Sequence, residues 1–506
     1  MKNAFFLVTT LIISLFLLGF AVRGRSGIPI YFQTNRDTGI GSPFEGTNSS
    51  SRFALTESIV KSNSLFLNES LAAFSSPDIS KINGKYLSIF TPGVSLIGVP
   101  FYYLGSIFNL QQLTTYLSIT LLSLLNIFLV AKLASKLGAG FYSSILSGFL
   151  FLFATNAYPY AVTFTQHQVS VTLIILMLLN TLQKRGILSN IIFGFLLSAA
   201  AIVDIPNIIL SIPILIVVIY KNIFIEKSEV FFQLKQSLKR ISMLGIFIGL
   251  VPITGLFLWY NYQVTGNYFK LAQTQGRAIF PEDPQLSQSH KIENETVTRS
   301  KDFHQFESRR QLNGLGVLLF SRDRGLIYYS PVVLIGFISL FWIIRSKKDS
   351  SLASLMLTMI GINVLLYSMF NDPWGGWAFG PRYLIPSFAL LCSGLGILLD
   401  RLKKNIFFLI LLCLVALYGI FVNTLSAVTT VHIPPAIQAV HLLTPIHSDF
   451  RYNLELIQKN FSGSLIYNVY LFDKITSTVF LAIVTGVSSC FVIASLIVFS
   501  ISKNRQ

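Results

Sequence analysis

Residues 406–424 read IFFLILLCLVALYGIFVNT, an uncharged apolar run, and Arg401, Lys403 and Lys404 stand just before it. A membrane-spanning helix needs about 20 such residues, because in hydrocarbon every backbone N–H and C=O must find its partner inside the segment. Eleven further runs repeat the pattern, near residues 4–22, 113–131, 142–162, 168–182, 189–204, 206–220, 241–260, 325–344, 352–370, 382–399 and 477–500. The pattern predicts an all-α polytopic membrane protein of about 12 transmembrane helices. Composition agrees: of 506 residues 53% are hydrophobic and 12% charged, against about 25% charged in soluble chains.

The net charge of +17 does not gather on one soluble face, so nucleic acid is not a partner. Much of it sits in short clusters between apolar runs: Lys132 and Lys136, Lys184-Arg185, Lys221 to Arg240, Arg345 to Lys348, Arg401 to Lys404, and Lys503 with Arg505. With twelve spans these clusters share one side, which the positive-inside rule makes cytoplasmic, and both termini lie there. Arg23 and Arg25, after the first run, argue the other way. That run has no A-x-A-like site and reads as an uncleaved anchor. Cys392, Cys413 and Cys490 lie in apolar runs and read as helix-packing residues.

The whole chain, 1–506, then reads as one transmembrane domain with three long outer loops, 23–112, 261–324 and 425–476. Sequons at Asn48, Asn68, Asn294 and Asn460 all fall in them. Residues 87–108 are apolar but contain Pro92, Gly93 and Pro100. Were they to span, every later basic cluster would change sides, so they are expected to form a juxtamembrane hairpin at the outer surface. The span centres hold almost no Asp, Glu, Lys or Arg, so polar chemistry is expected on the outer face.

Candidate acids in the first outer loop are Asp37, Glu45, Glu57, Glu69 and Asp78, since a carboxyl beside a bilayer has a raised pKa suited to general-base work. Residues 52–60, RFALTESIV, have a helical period with Arg52 and Glu57 toward the polar edge. Asn83-Gly84 is a strong turn signal, so Asp78 and Lys85 are expected to converge. His167 stands at the outer end of a span, suited to bond a phosphate or sugar hydroxyl. Asp204, before Ile205-Pro206, lies at the outer surface where a Pro-containing break needs polar partners, and reads as structural.

The most distinctive stretch is residues 372–386, DPWGGWAFGPRYLIP. Its glycines admit close backbone approach, Trp374 and Trp377 offer flat faces for sugar or lipid, and Arg382 and Tyr383 enter the next helix from outside. A guanidinium there suits a phosphate at headgroup depth. Arg324, in residues 321–326 SRDRGL, is a further candidate for the same anion.

These segments resemble the class C (GT-C) membrane glycosyltransferases, in particular the group containing protein O-mannosyltransferases and the lipid A aminoarabinose transferase. Arg382-Tyr383-Leu384-Ile385-Pro386 is similar to their RYLLP-type helix start, Arg52-Phe53-Ala54-Leu55 to their R-Y-A segment, and 84–93 to the stretch leading into their K-P-P motif. The resemblance implies a GT-C-like bundle whose long first outer loop contains juxtamembrane helices. It departs at three points. Asn48 to Ser51 stand where the family carries an Asp-Glu pair, Thr91-Pro92 replaces K-P-P, and His167 occupies the place of a second acid.

The function implied is transfer of a sugar from a polyprenyl-phosphate-linked donor to a glycan, lipid or protein acceptor at the extracytoplasmic face of the cell membrane, with inversion. Asp78, Glu57 or Asp37 would be the base, and Arg52, Lys85, His167, Arg324, Trp374, Trp377, Arg382 and Tyr383 would bind substrate. No His, Cys or carboxylate set has metal-ligand spacing, and a divalent-metal requirement is left open. The alternatives are a lipid-linked sugar transporter or flippase, and a non-catalytic relative.

Overall fold

The computed structural model describes residues 2–24, 39–223, 242–278, 280, 306, 308–346, 350–442 and 446–501. All twelve predicted spans are helical. Among the described residues, eight helices are long and apolar enough to cross a membrane: α1 (Lys2–Ala21), α5 (Gln111–Lys136), α9 (Pro206–Ile223), α10 (Leu244–Thr265), α14 (Ser350–Ser368), α15 (Ile385–Leu402, with a 3-10 turn at Arg382–Leu384), α16 (Ile406–Val428) and α19 (Ser477–Ile501). The other four are shorter apolar helices: α6 (Phe141–Phe153), α7 (His167–Thr181), α8 (Ile187–Val203) and α13 (Val332–Arg345). The run near 142–162 breaks after Phe153 and resumes as a 3-10 turn at Pro159–Val162. Residues 150–171 are all buried, so protein covers the broken backbone.

Packing depends on small residues where helices touch. A Cβ added to Gly194 of α8 would lie 2.1 Å from the Ile246 carbonyl oxygen of α10, and one on Gly249 of α10 would lie 2.0 Å from that of Ile191 on α8. Backbone meets backbone at both points, as in small-residue membrane interfaces. Gly249→Val is expected to lower the thermal midpoint in detergent, the overpacking costing about 1–3 kcal/mol. An unchanged melting curve would refute the contact.

The first outer loop folds into α2 (Thr47–Ser62), α3 (Glu69–Ser75), a hairpin of β1 (Ile79–Ile82) and β2 (Lys85–Ser88), and α4 (Gly93–Ile107). Asn83 (φ 48°) and Gly84 (φ 78°) make the left-handed two-residue turn their sequence predicts. Residues 87–108 are not the hairpin expected of them: α4 is one helix running through Pro100. It stays at one end of the bundle. Thr91 Oγ1 donates to the Val203 carbonyl (2.9 Å), and an added Cβ at Gly98 would meet Phe164 and Thr115.

Arg23, at the end of α1, is not a membrane-side topology signal. It forms a buried ion pair with Glu45 (3.2 Å), and Glu45 also accepts from the Gly41 and Val431 amides (2.7 and 2.9 Å) and from Thr430 Oγ1. Every oxygen of Glu45 is thus committed to joining the first loop to the end of α16, which leaves it unsuited to the base role. Glu45→Ala strands a buried guanidinium and is expected to cost about 3–5 kcal/mol, read as loss of monodisperse protein or a lower thermal midpoint.

Candidate functional site

Five helix ends and the first loop meet at the end of the bundle that carries α4. Arg52 comes from α2, Gln166 and His167 from the start of α7, Asp204 from the break between α8 and α9, and Arg382 and Tyr383 from the start of α15. The basic residues Lys136, Lys184, Arg185, Lys221, Arg345, Arg401, Lys403 and Lys404 lie at or just beyond the opposite ends of their helices. The polar cavity here is lined by His167, Ser170, Asp204, Asn207, Asn363, Tyr367 and Tyr383.

Arg52 is 2% exposed. It is held by Asn48, whose side-chain oxygen accepts from Nη1, and its guanidinium lies 3.9 Å from the centre of the Phe90 ring. Ser95 Oγ of α4 donates to the Arg52 carbonyl at 2.9 Å, fixing its backbone as well. The sequon asparagine at 48 therefore serves as a support for Arg52. Burial works against the Arg52 charge, Asp204 and Asp78 favour it, and the Arg382 guanidinium repels it.

Arg382 rests against Tyr383, its guanidinium 5.4 Å from the ring centre, and Tyr383 stacks on Tyr367 of α14 (4.3 Å, 5°). Asn363 Nδ2 donates to the Tyr383 carbonyl (3.2 Å) and to Ser387 Oγ (2.8 Å), pinning the start of α15. Tyr160 brackets the cluster: its ring lies 5.1 Å from His167, and its hydroxyl accepts from the Phe379 amide at 3.0 Å.

Asp204 faces the cavity while surrounded by protein. Burial pushes its carboxyl up to about 6, with Arg52, a hydrogen bond from Gln166 and Arg382 each pulling the other way. From sequence it reads as a structural residue. One signal was present: it is the only Asp or Glu between Asp78 and Glu226. Asp372 is a second acid near Arg382 and Tyr383. Nε of Arg52, Nε of Arg382, Nε2 of His167 and Oε1 of Gln166 are buried without a hydrogen-bond partner. Of these residues His167 lines the cavity, and each such atom costs free energy while unpaired.

The remaining candidates separate. Asp78 is at the edge of the site, close enough for its charge to reach Arg52, but its oxygens are engaged by Thr47 Oγ1 (2.7 Å) and Arg277 (3.2 Å). Lys85 does not join it. The register pairs Ile82 with Lys85 and Ile79 with Ser88, so Asp78 is at the hairpin base and Lys85 at its tip, about 13 Å along the strands. There the Lys85 ammonium sits over the Phe66 ring (4.8 Å). Glu57 is five residues from Arg52, about 140° round the helix, and pairs with Lys61 at 3.1 Å. Asp37 lies outside the described residues. Trp377 donates its indole N–H to Gln438 Oε1 (2.7 Å), its ring 4.8 Å from His432, and Trp374 is half-buried above Arg324.

Arg324, expected to share the anion, has no donor left for it. Nε donates to the Trp374 carbonyl (2.9 Å), Nη1 to those of Asp323 (2.6 Å) and Ser448 (3.4 Å), and Nη2 to those of Gly376 (3.2 Å) and Ile433 (2.9 Å). An arginine has five N–H groups, and all five are spent. Among the described residues no three His, Cys, Asp or Glu side chains converge as a metal site.

No family model and no curated protein matches this chain. Two solved structures share its architecture. ArnT from Cupriavidus metallidurans in the apo state aligns over 99% of this chain and 76% of its own, at 14% identity and TM-score 0.53. The same protein bound to undecaprenyl phosphate aligns over 98% and 75%, at 14% identity and TM-score 0.50. An Archaeoglobus fulgidus oligosaccharyltransferase in complex with zinc and sulfate aligns over 84% of this chain and 53% of its own, at 12% identity and TM-score 0.47. The helix order, the long first loop with its surface helices and this overlay together give the chain the fold of the class C membrane glycosyltransferases.

Proposed function

We propose that this protein is a membrane glycosyltransferase that takes a sugar from a polyprenyl-phosphate donor at the extracytoplasmic face and transfers it with inversion. The observation that carries the reading is the buried guanidinium of Arg52 and the half-buried one of Arg382, repelling each other beside an acid of raised pKa, with unpaired polar atoms around them. A phosphate relieves that repulsion and takes up the free N–H groups. Support also comes from the fold neighbour that binds undecaprenyl phosphate, and from the basic helix ends opposite the site, which favour a cytoplasmic side away from it.

In this reading Asp204, rather than a first-loop acid, is the general base. Its carboxylate takes the acceptor O–H proton as the acceptor oxygen attacks the anomeric carbon on the face away from the phosphate. The bond from that carbon to the phosphate oxygen breaks, and the electron pair leaves with the lipid phosphate. Arg382 and Arg52 stabilise the charge that develops there. His167 and Tyr383 contact the donor, and Trp374 and Trp377 flank the acceptor side. Asp78 tunes Arg52 from the edge.

The test is incubation of the purified protein in liposomes with several polyprenyl-phosphate sugars, following release of the lipid phosphate and formation of a new glycosidic linkage. Movement of labelled carrier between leaflets with no bond cleaved would replace transfer by transport, and neither event with any donor would leave a non-catalytic role.

A further inference from the structure

We infer that Arg324 is a positioning residue that sets Arg382 through the backbone of Gly375. The two carbonyls it grips in the loop after α14, those of Trp374 and Gly376, flank Gly375. Gly375 adopts φ +74°, and a Cβ added to it would lie 2.8 Å from Arg382 Nε. The Gly375 Cα is therefore the wall against which the Arg382 guanidinium rests, and only glycine combines that φ with that approach. Arg324 holds the chain just before and just after the wall.

The same guanidinium carries the lock outward. Its bonds to the Ile433 and Ser448 carbonyls tie the wall to the outer segment after α16. Asp323, beside it, adds a second tie through Oδ2, which accepts from the Ala436 amide at 3.1 Å. Arg324 is fully buried, and lysine cannot replace it: an ammonium has three donors on one atom, whereas the five carbonyls here surround a planar fork. A buried arginine saturated by backbone carbonyls thus holds still an arginine whose own Nε is unpaired.

This inference rests on the proposal that Arg382 grips the donor phosphate, and the experiment separates the two. Binding of farnesyl phosphate to the detergent-purified full-length protein is measured by calorimetry for Arg382→Ala, Arg324→Lys, Gly375→Ala and the double variants with Arg382→Ala, with melting curves alongside. Arg382→Ala is expected to weaken binding by about tenfold to a hundredfold. Gly375→Ala, which leaves the Arg324 side chain itself unchanged and serves should Arg324→Lys fail to fold, is expected to weaken it about tenfold. Each loss should fall below twofold on the Arg382→Ala background, because both act through that side chain. Full additivity, or a Gly375→Ala variant that binds like the parent while Arg382→Ala does not, overturns the positioning role. An Arg382→Ala variant that binds like the parent removes the phosphate assignment and this inference with it.

Discussion

Arg382→Ala lowers turnover by about 10²–10³ while leaving the protein folded, the loss expected when one donor to a developing oxyanion is removed. The residue sits at the start of α15, where Asn363 pins the backbone, so truncating the side chain spares the helix. Arg382→Lys recovers only part of the rate, because an ammonium is a point charge and cannot place two parallel N–H groups on a phosphate. The measurement is steady-state release of lipid phosphate, with monodispersity as the control for folding. Wild-type turnover in the alanine variant would take Arg382 out of the mechanism.

Asp204→Asn is expected to lose about 10²–10⁴ in rate. The base acts ionised, so parental activity should fall as pH drops through about 6 and level off above it, the position that burial gives this carboxyl. The asparagine variant should lose that acid limb. Stability runs in the opposite direction. A carboxyl whose folded pKa is raised binds its proton more tightly when folded, so its contribution is present at low pH and is lost as pH rises through about 6. Asp204→Asn should therefore melt no lower than the parent at neutral pH. A variant that is both inactive and much less stable would mark Asp204 as a structural residue.

How much of this was legible depends on how far apart in the chain the deciding residues are. Span positions are local, since twenty apolar residues admit one answer, and the Asn83-Gly84 turn was equally plain. Arg52 and Arg382 could be picked out because each begins or interrupts an apolar segment that has no need of a charge. Asp204 was passed over because its local context, an acid before Ile-Pro at a helix end, describes a cap equally well. Only the packing of the α8–α9 break beside α2 and α15 makes it a partner of two arginines. Arg324 misled for the converse reason: a basic residue in a surface turn reads as a free cation until the carbonyls that saturate it are brought in from residues 374–376, 433 and 448. Lys85 and Asp78 failed on register, which a turn signal fixes but which was not followed to the strand ends.

The proposed base stands at residue 204, ahead of α9, and the principal phosphate ligand at 382, beyond α14. Neither half of the polypeptide can carry a working centre by itself. Two separately expressed halves, divided anywhere between α9 and α10, would be inert alone and regain chemistry only by reassociating in the same bilayer, making activity a direct gauge of helix-bundle assembly.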